Sequence, residues 1–274
     1  QDKDFIHKWK DFDDTDRFYI RVFDKTEKVF SRKSRNIFRM GFSLLPPNQF
    51  PPVIAKYIYQ KFTSKLKNEK RIVIYHPSSG WGGRIIGACS ASSDRPLHYV
   101  GTDPNMDNYI DALGISRYEY VASFYKRNVV QPNHLTYELF QSGSELIHKN
   151  PKFKKYKNKI DLVFTSPPYF NAEGYSTDET QSCIKFPEYE GWRDGFLRPT
   201  LETCVEYLKS GGYLLWNIAD IKSGQSMYPL ESDSKQILNE LGLKYVEKIK
   251  FVLTSAPGKG RVSWVHRNPQ TKNF

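Results

Sequence analysis

Cysteine is scarce in this chain. Cys89, Cys183 and Cys204 are too few and too scattered for a disulfide framework or a zinc cluster, which fits a reducing compartment. No apolar run is long enough to span a membrane. No secretory leader is visible, although a chain that starts at Gln1 is expected to have lost its native start. Internal repeats and low-complexity tracts are absent. The stretch from Lys149 to Lys159 holds six lysines and not one acid.

What is present is basic and aromatic. The 274 residues carry a formal net charge of +11 and 15% aromatic side chains. The length suits one large α/β domain with a substantial core. The charge favours a polyanionic partner, with nucleic acid the leading class. Within the lysine run, Lys152, Lys154 and Lys155 have two readings: a solvated loop, or a phosphate-contacting rim beside an active site. Residues 1–45 mix both charge signs with aromatics, include Arg32, Lys33 and Arg35, and read as an extension that wraps the domain or contacts nucleic acid.

From residue 46 onward, strand and helix patterns alternate, which predicts a mostly parallel twisted sheet with helices on both faces. A helix is expected over 53–62 behind Pro52. The apolar run Arg71–His76 predicts a buried strand, followed by Pro77-Ser78-Ser79-Gly80-Trp81-Gly82-Gly83 and a small, apolar helix over 85–91. Gly80 and Gly82 let a ligand approach the backbone, and a helix N-terminus behind them suits an anionic group. A second strand, 98–103, ends in Asp103. That acid is placed to accept nucleoside ribose hydroxyls, or else to cap a following helix. A helix over 109–124 and a strand over 135–140 complete a third step, ending near Ser144 and Glu145. The fourth strand, from Ile160, runs into Thr165-Ser166-Pro167-Pro168-Tyr169, where two prolines stop it and leave a stiff loop. A helix over 196–208, a stop at Lys209–Gly212, and strands over 213–218, 244–253 and 262–265 finish the pattern. Between Phe170 and Trp192 lies a polar insertion with little periodicity.

Ser/Thr-Pro-Pro-Tyr after an apolar strand resembles the catalytic motif of the S-adenosylmethionine-dependent DNA amino-methyltransferases, which methylate cytosine N4 or adenine N6. The order of motifs is similar to the subgroup whose cofactor loop precedes the catalytic loop, and the likeness covers roughly 50–265. The resemblance implies a Rossmann-like methyltransferase fold over 46–274 and S-adenosylmethionine as cofactor. It implies a cofactor site of His76, Pro77, Ser79, Gly80, Gly82, Asp103, Ser144 and Thr165. The segment around Phe50-Pro51-Pro52 matches the part that closes over the methionine end, and 170–192 becomes a candidate base-contacting loop. His76 departs from the pattern, standing where the family commonly carries an acid.

Ser166, Pro167, Pro168 and Tyr169 are the implied catalytic residues. Ser166 and the Pro167 carbonyl each accept one hydrogen of the target amine, drawing its lone pair out of conjugation and stabilising the charge that grows on nitrogen. The base has to leave the duplex. Tyr169, with Phe170, is then expected to stack on it. No metal is required. Methylation at carbon 5 of cytosine is disfavoured, because no cysteine sits in the Pro-Cys setting that reaction takes. Ser before Pro-Pro leans to cytosine N4, with adenine N6 the alternative and a weak or inactive nucleic-acid-binding subunit the second. Duplex DNA is the expected partner; RNA, a dimer and a partner subunit stay open. The implied setting is cytoplasmic, in a bacterium, phage or virus, as part of restriction-modification.

Overall fold

The computed structural model describes residues 50–66, 70–105, 108–110, 114–128, 134–172, 178–223 and 226–249. The chain divides into two compact units, Gln49–Val246 and a second made of Gln1–Asn48 with Glu247–Phe274. Arg32, Lys33 and Arg35 lie outside the described residues, as does the expected strand over 262–265.

Helix α1 (Pro52–Thr63) opens with Pro52, whose missing N–H is no loss in a first turn. Strand β1 (Ile72–His76) leads through the glycine-rich loop into α2 (Gly83–Ala91), and β2 (Leu97–Thr102) ends just before Asp103. A small hairpin of β3 (Tyr109–Ile110) and β4 (Ile115–Ser116) precedes α3 (Arg117–Asn128). The helix expected from 109 therefore starts eight residues later. Its cause is a capping box: the Glu119 carboxylate accepts from the Ser116 N–H at 2.9 Å, and the Glu119 N–H donates to Ser116 Oγ at 3.1 Å.

Strands β5 (Leu135–Phe140), β6 (Ile160–Thr165) and β7 (Leu208–Trp216) complete the sheet. Short helices α4 (Ser182–Lys185) and α5 (Tyr189–Trp192) lead through a π turn at Arg193–Leu197 into α6 (Arg198–Tyr207). Beyond β7 come the hairpin β8 (Ile221–Ser223) and β9 (Ser226–Tyr228), then α7 (Leu230–Glu240). The glycines at 211 and 212 do not stop the chain between helix and strand. They form an irregularity inside β7, where pairing with β6 jumps from Ile160–Leu208 to Leu162–Tyr213 and Gly211 takes φ 77°. Residues 244–249, expected as strand, have no regular structure, and Val246 is exposed.

The five long strands are parallel and run in the order β5-β2-β1-β6-β7. The fold class is thus the expected one, a doubly wound α/β sheet. Strand order reverses between β1 and β6, and their C-terminal ends flank the crevice where open α/β sheets place ligands. Alternation along β1 sends Ile72, Ile74 and His76 to the face covered by α1 and α2. Tyr75 goes to the other face, into a core with Phe153, Val163, Cys204 and Tyr207.

The ladder between β1 and β6 is two residue pairs long among the described residues, Ile74–Leu162 and Tyr75–Val163. Asp161, buried, lengthens the seam at its other end. One carboxylate oxygen accepts from the Val73 N–H at 2.8 Å, and the other lies 2.8 Å from Lys209 Nζ. None of the described helices is long and apolar enough to cross a membrane.

Candidate active site

The loop after β1 and the loop after β6 meet at the reversal point. Thr165, fully buried, donates through Oγ1 to the Ser78 carbonyl at 3.1 Å, so the two loops are bonded to each other. Gly80 and Gly82 take φ 64° and 91°, a left-handed backbone that side-chain-bearing residues avoid. Gly82 is also the N-terminal flank of α2, with no side chain capping that end. Pro77 is buried, and its carbonyl accepts from Thr102 Oγ1 at 2.6 Å. Ser79 Oγ is buried against β2, beside the Tyr99 hydroxyl with which it interacts. It fills the space that a Cβ on Gly101 would need, at 2.5 Å from that ideal position.

Asp103 is buried at the end of β2 with its carboxylate surrounded by donors. Oδ1 accepts from the Asn105 N–H at 3.0 Å and Asn108 Nδ2 at 3.2 Å. Oδ2 accepts from the Gly80 N–H at 3.2 Å and the Tyr118 hydroxyl at 2.9 Å. Burial pushes its pKa above the ordinary carboxylate value, and these four bonds oppose that shift. The Tyr118 hydroxyl also contacts the Gly80 carbonyl. Asp103 therefore holds the glycine loop, and through Asn105 and Asn108 the turn that follows β2. Asn108 and Tyr118 were not anticipated from sequence.

His76 is a core residue. Its ring stacks on Tyr99 at 4.8 Å, edges against Phe164, and lies 2.9 Å from the Tyr59 hydroxyl through Nε2. The period-2 alternation of β1 explains this, since it assigns position 76 to the same face as Ile72 and Ile74. In this arrangement His76 is no direct cofactor ligand. Burial, and next the nearby Arg84 guanidinium, drive its pKa well below the ordinary value of 6.5, only partly offset by the Phe164 backbone. His76 is neutral in the folded protein.

The unfolded chain takes up a proton on His76 near its ordinary pKa, and the folded chain does not. His76 thus contributes nothing unfavourable above about pH 6.5, and stability falls as pH drops below it, by about 1.4 kcal/mol per unit. Urea unfolding between neutral pH and pH 5 measures the slope. His76→Phe is expected to flatten it by about one proton.

The Thr165–Tyr169 loop is held from β7. Asn217, directly after that strand, donates through Nδ2 to Ser166 Oγ at 2.7 Å and through its N–H to the Thr165 carbonyl at 2.9 Å. Its own carbonyl accepts from the Tyr169 hydroxyl at 2.9 Å. Ser166, Pro168 and Tyr169 are half-buried, and Pro167 is buried. Phe170 departs from expectation. It takes φ 47°, is 2% exposed, and packs among Tyr189, Trp192 and Tyr228. It serves a second hydrophobic core that also holds Phe196, Leu201 and Leu230, against which Tyr169 packs in part. The insertion after Phe170 is thus partly a packed cap, although residues 173–177 lie outside the described set.

Ser144 is buried, and its hydroxyl lies 2.9 Å from that of Thr200 on α6, so it does not face the crevice. The neighbouring Glu145 pairs with Lys185 at 2.9 Å, which fastens α4 to the end of β5. The lysines sit on an exposed stretch before β6, on and around two 3-10 turns, Ile147–Lys149 and Phe153–Tyr156, that deliver the chain to that strand. Lys155 pairs with Glu138 at 2.5 Å and Lys157 with Glu206 at 2.6 Å. The six residues of β6 separate that edge from Ser166, about 20 Å at 3.3 Å per residue. Lys152 and Lys154 are exposed on this stretch, at the opposite end of β6 from the Thr165–Tyr169 loop.

A cavity of about 430 Å³ opens beyond Phe170, walled by Tyr189, Tyr228, Glu188, Arg193 and Asp233. Neither loop of the crevice lines it apart from Phe170. Cys89 and Cys204 are buried, and burial pushes the Cys89 thiol up to about 12. Among the described residues no group of three or more His, Cys, Asp or Glu could hold a metal ion.

No protein-family model and no curated protein matches the sequence. Solved structures do. A CurJ carbon methyltransferase is similar at 16% identity and TM-score 0.43, over 72% of this chain and 50% of that one. A putative class I S-adenosylmethionine-dependent methyltransferase from Listeria monocytogenes is similar at 18% identity and TM-score 0.39, over 76% of this chain and 57% of that one. The chain spans about half the length of each.

Proposed function

We propose that this chain transfers a methyl group from S-adenosylmethionine to the exocyclic amine of a nucleic-acid base, with cytosine N4 in duplex DNA favoured and adenine N6 the alternative. The observation that carries the reading is the junction of the two loops: Ser78 in the glycine loop is bonded to Thr165 at the foot of Ser166-Pro167-Pro168-Tyr169. The residues of the crevice fit the cofactor. The uncapped start of α2 suits its carboxylate, and the Asp103 carboxylate suits its ribose. Bound there, S-adenosylmethionine supplies an electrophilic methyl group.

The chain's own part is positioning and charge stabilisation. The Pro167 carbonyl accepts an amine hydrogen so that the lone pair points at the methyl group, and it offsets the positive charge that grows on nitrogen, while Ser166 bonds to the same edge of the base. Tyr169 offers a ring for stacking, its hydroxyl tethered to Asn217. A base cannot reach such a crevice while paired, so it flips. One specific observation favours a second reading, a nucleic-acid-binding subunit that needs an active partner: all four donors around Asp103 are internal, which leaves the ribose a competitor.

The test uses tritiated S-adenosylmethionine with unmethylated duplex DNA, RNA as competitor, and mass spectrometry of the nucleosides. Labelled N4-methylcytosine is expected. Labelled N6-methyladenine would replace cytosine by adenine. No label, with no cofactor binding by calorimetry, would leave the partner-dependent subunit.

A further inference from the structure

Asn217 touches the Thr165–Tyr169 turn at three places, through its N–H, its side-chain amide and its carbonyl. The side-chain contact decides the chemistry. A serine hydroxyl has one proton and two lone pairs. Asn217 Nδ2, a donor, occupies one of those lone pairs at 2.7 Å, so the Ser166 proton points away from Asn217. Ser166 then presents one proton and one lone pair outward from a half-buried position beside the Pro167 carbonyl.

We infer that Asn217 is a positioning residue that sets the polarity of Ser166, making its hydroxyl a donor to the ring nitrogen beside the target amine while the Pro167 carbonyl accepts an amine hydrogen. This rests on the proposed amino-methylating function. It changes the role expected of Ser166, from a second acceptor for the amine to a donor toward its neighbour. The donor–acceptor pair fits the N=C–NH₂ edge that cytosine and adenine share, and opposes a base that carries a ring N–H next to its amine. Donation to that ring nitrogen also fixes the base in the plane from which the amine meets the methyl group. The carbonyl contact to Tyr169 ties the stacking ring to the same residue, so ring and hydroxyl are placed together.

Asn217→Asp keeps the shape and removes the donor. Its ionised carboxylate can only accept, so it turns the Ser166 proton inward. At neutral pH kcat is expected to fall by about 100-fold, with the KM for S-adenosylmethionine within about twofold. Activity is expected to recover toward acid pH, where the protonated carboxyl donates again. Asn217→Ala is expected to stay low at every pH. Wild-type kcat for Asn217→Asp at neutral pH would overturn the inference.

A second readout does not depend on turnover. The side-chain amide protons of Asn217, identified by nuclear magnetic resonance through their loss in Asn217→Asp, are expected to shift in Ser166→Ala. Unmoved signals would remove the hydrogen bond and the inference with it, whatever the enzyme does. A clear shift in a protein that methylates no base would instead overturn the proposed function, and with it the role assigned to Asn217, while the bond itself stands.

Discussion

Ser166→Ala is expected to lower kcat for base methylation by about 10²–10³, the usual cost of removing one donor aimed at a transition state. The same change is expected to leave the fold and the cofactor affinity nearly intact. Ser166 is half-buried and bonds to Asn217 Nδ2 at 2.7 Å. Its loss costs a single neutral hydrogen bond, about 0.5–1.5 kcal/mol. The glycine loop is fastened through Thr165 instead, which the change does not touch. Turnover by nucleoside mass spectrometry, set beside the melting temperature and calorimetric cofactor binding, separates the two effects. A kcat within a few-fold of wild type would show that Ser166 is only a turn residue.

The second large effect is expected at Asp103. Alanine there removes the acceptor for the Gly80 and Asn105 N–H groups, the Asn108 amide and the Tyr118 hydroxyl at once. Each buried donor left without a partner costs about 1–3 kcal/mol, less whatever water and rearrangement recover. A loss of about 3 kcal/mol or more from the folded state is expected, read from urea unfolding. Cofactor affinity is expected to fall at least about tenfold, because the Gly80 loop loses its anchor as well as the ribose acceptor. Asp103→Asn separates the two. It keeps the shape and one acceptor, so stability is expected to recover further than cofactor affinity does. Equal recovery of both would confine Asp103 to holding the loop.

Much of this was legible in the residues. Strands β1, β2, β5 and β6 are short apolar runs bounded by Pro, Gly or Asp, and the Thr165–Tyr169 turn announces itself through two prolines. In a parallel sheet both faces are buried, so strands carry no polar-apolar alternation that would show which way His76 points. The second core was hidden for a related reason. Tyr189, Trp192 and Phe196 are spaced among Glu, Gly, Arg and Asp, and what unites them is packing with Phe170 and α7. Asn217 and Tyr118 act across 51 and 38 residues of chain, on Ser166 and Gly80 respectively. Local pattern holds no trace of such contacts. The capping box at Ser116–Glu119 was the exception, a local signal that places the start of α3 and breaks the longer helix suggested by apolar spacing.

The seam between β1 and β6 has a mechanical consequence. Five residue pairs join β1 to β2 and six join β2 to β5, while two join β1 to β6. The shortest ladder thus divides the sheet into one part that bears the Gly80 loop and Asp103 and another that bears Ser166 and Asn217. The Val73–Asp161 bond joins them at the far edge and the Thr165–Ser78 bond at the near one. Widening the gap between the two loops would break fewer ladder bonds here than between β1 and β2, and would have to release the Thr165–Ser78 bond first.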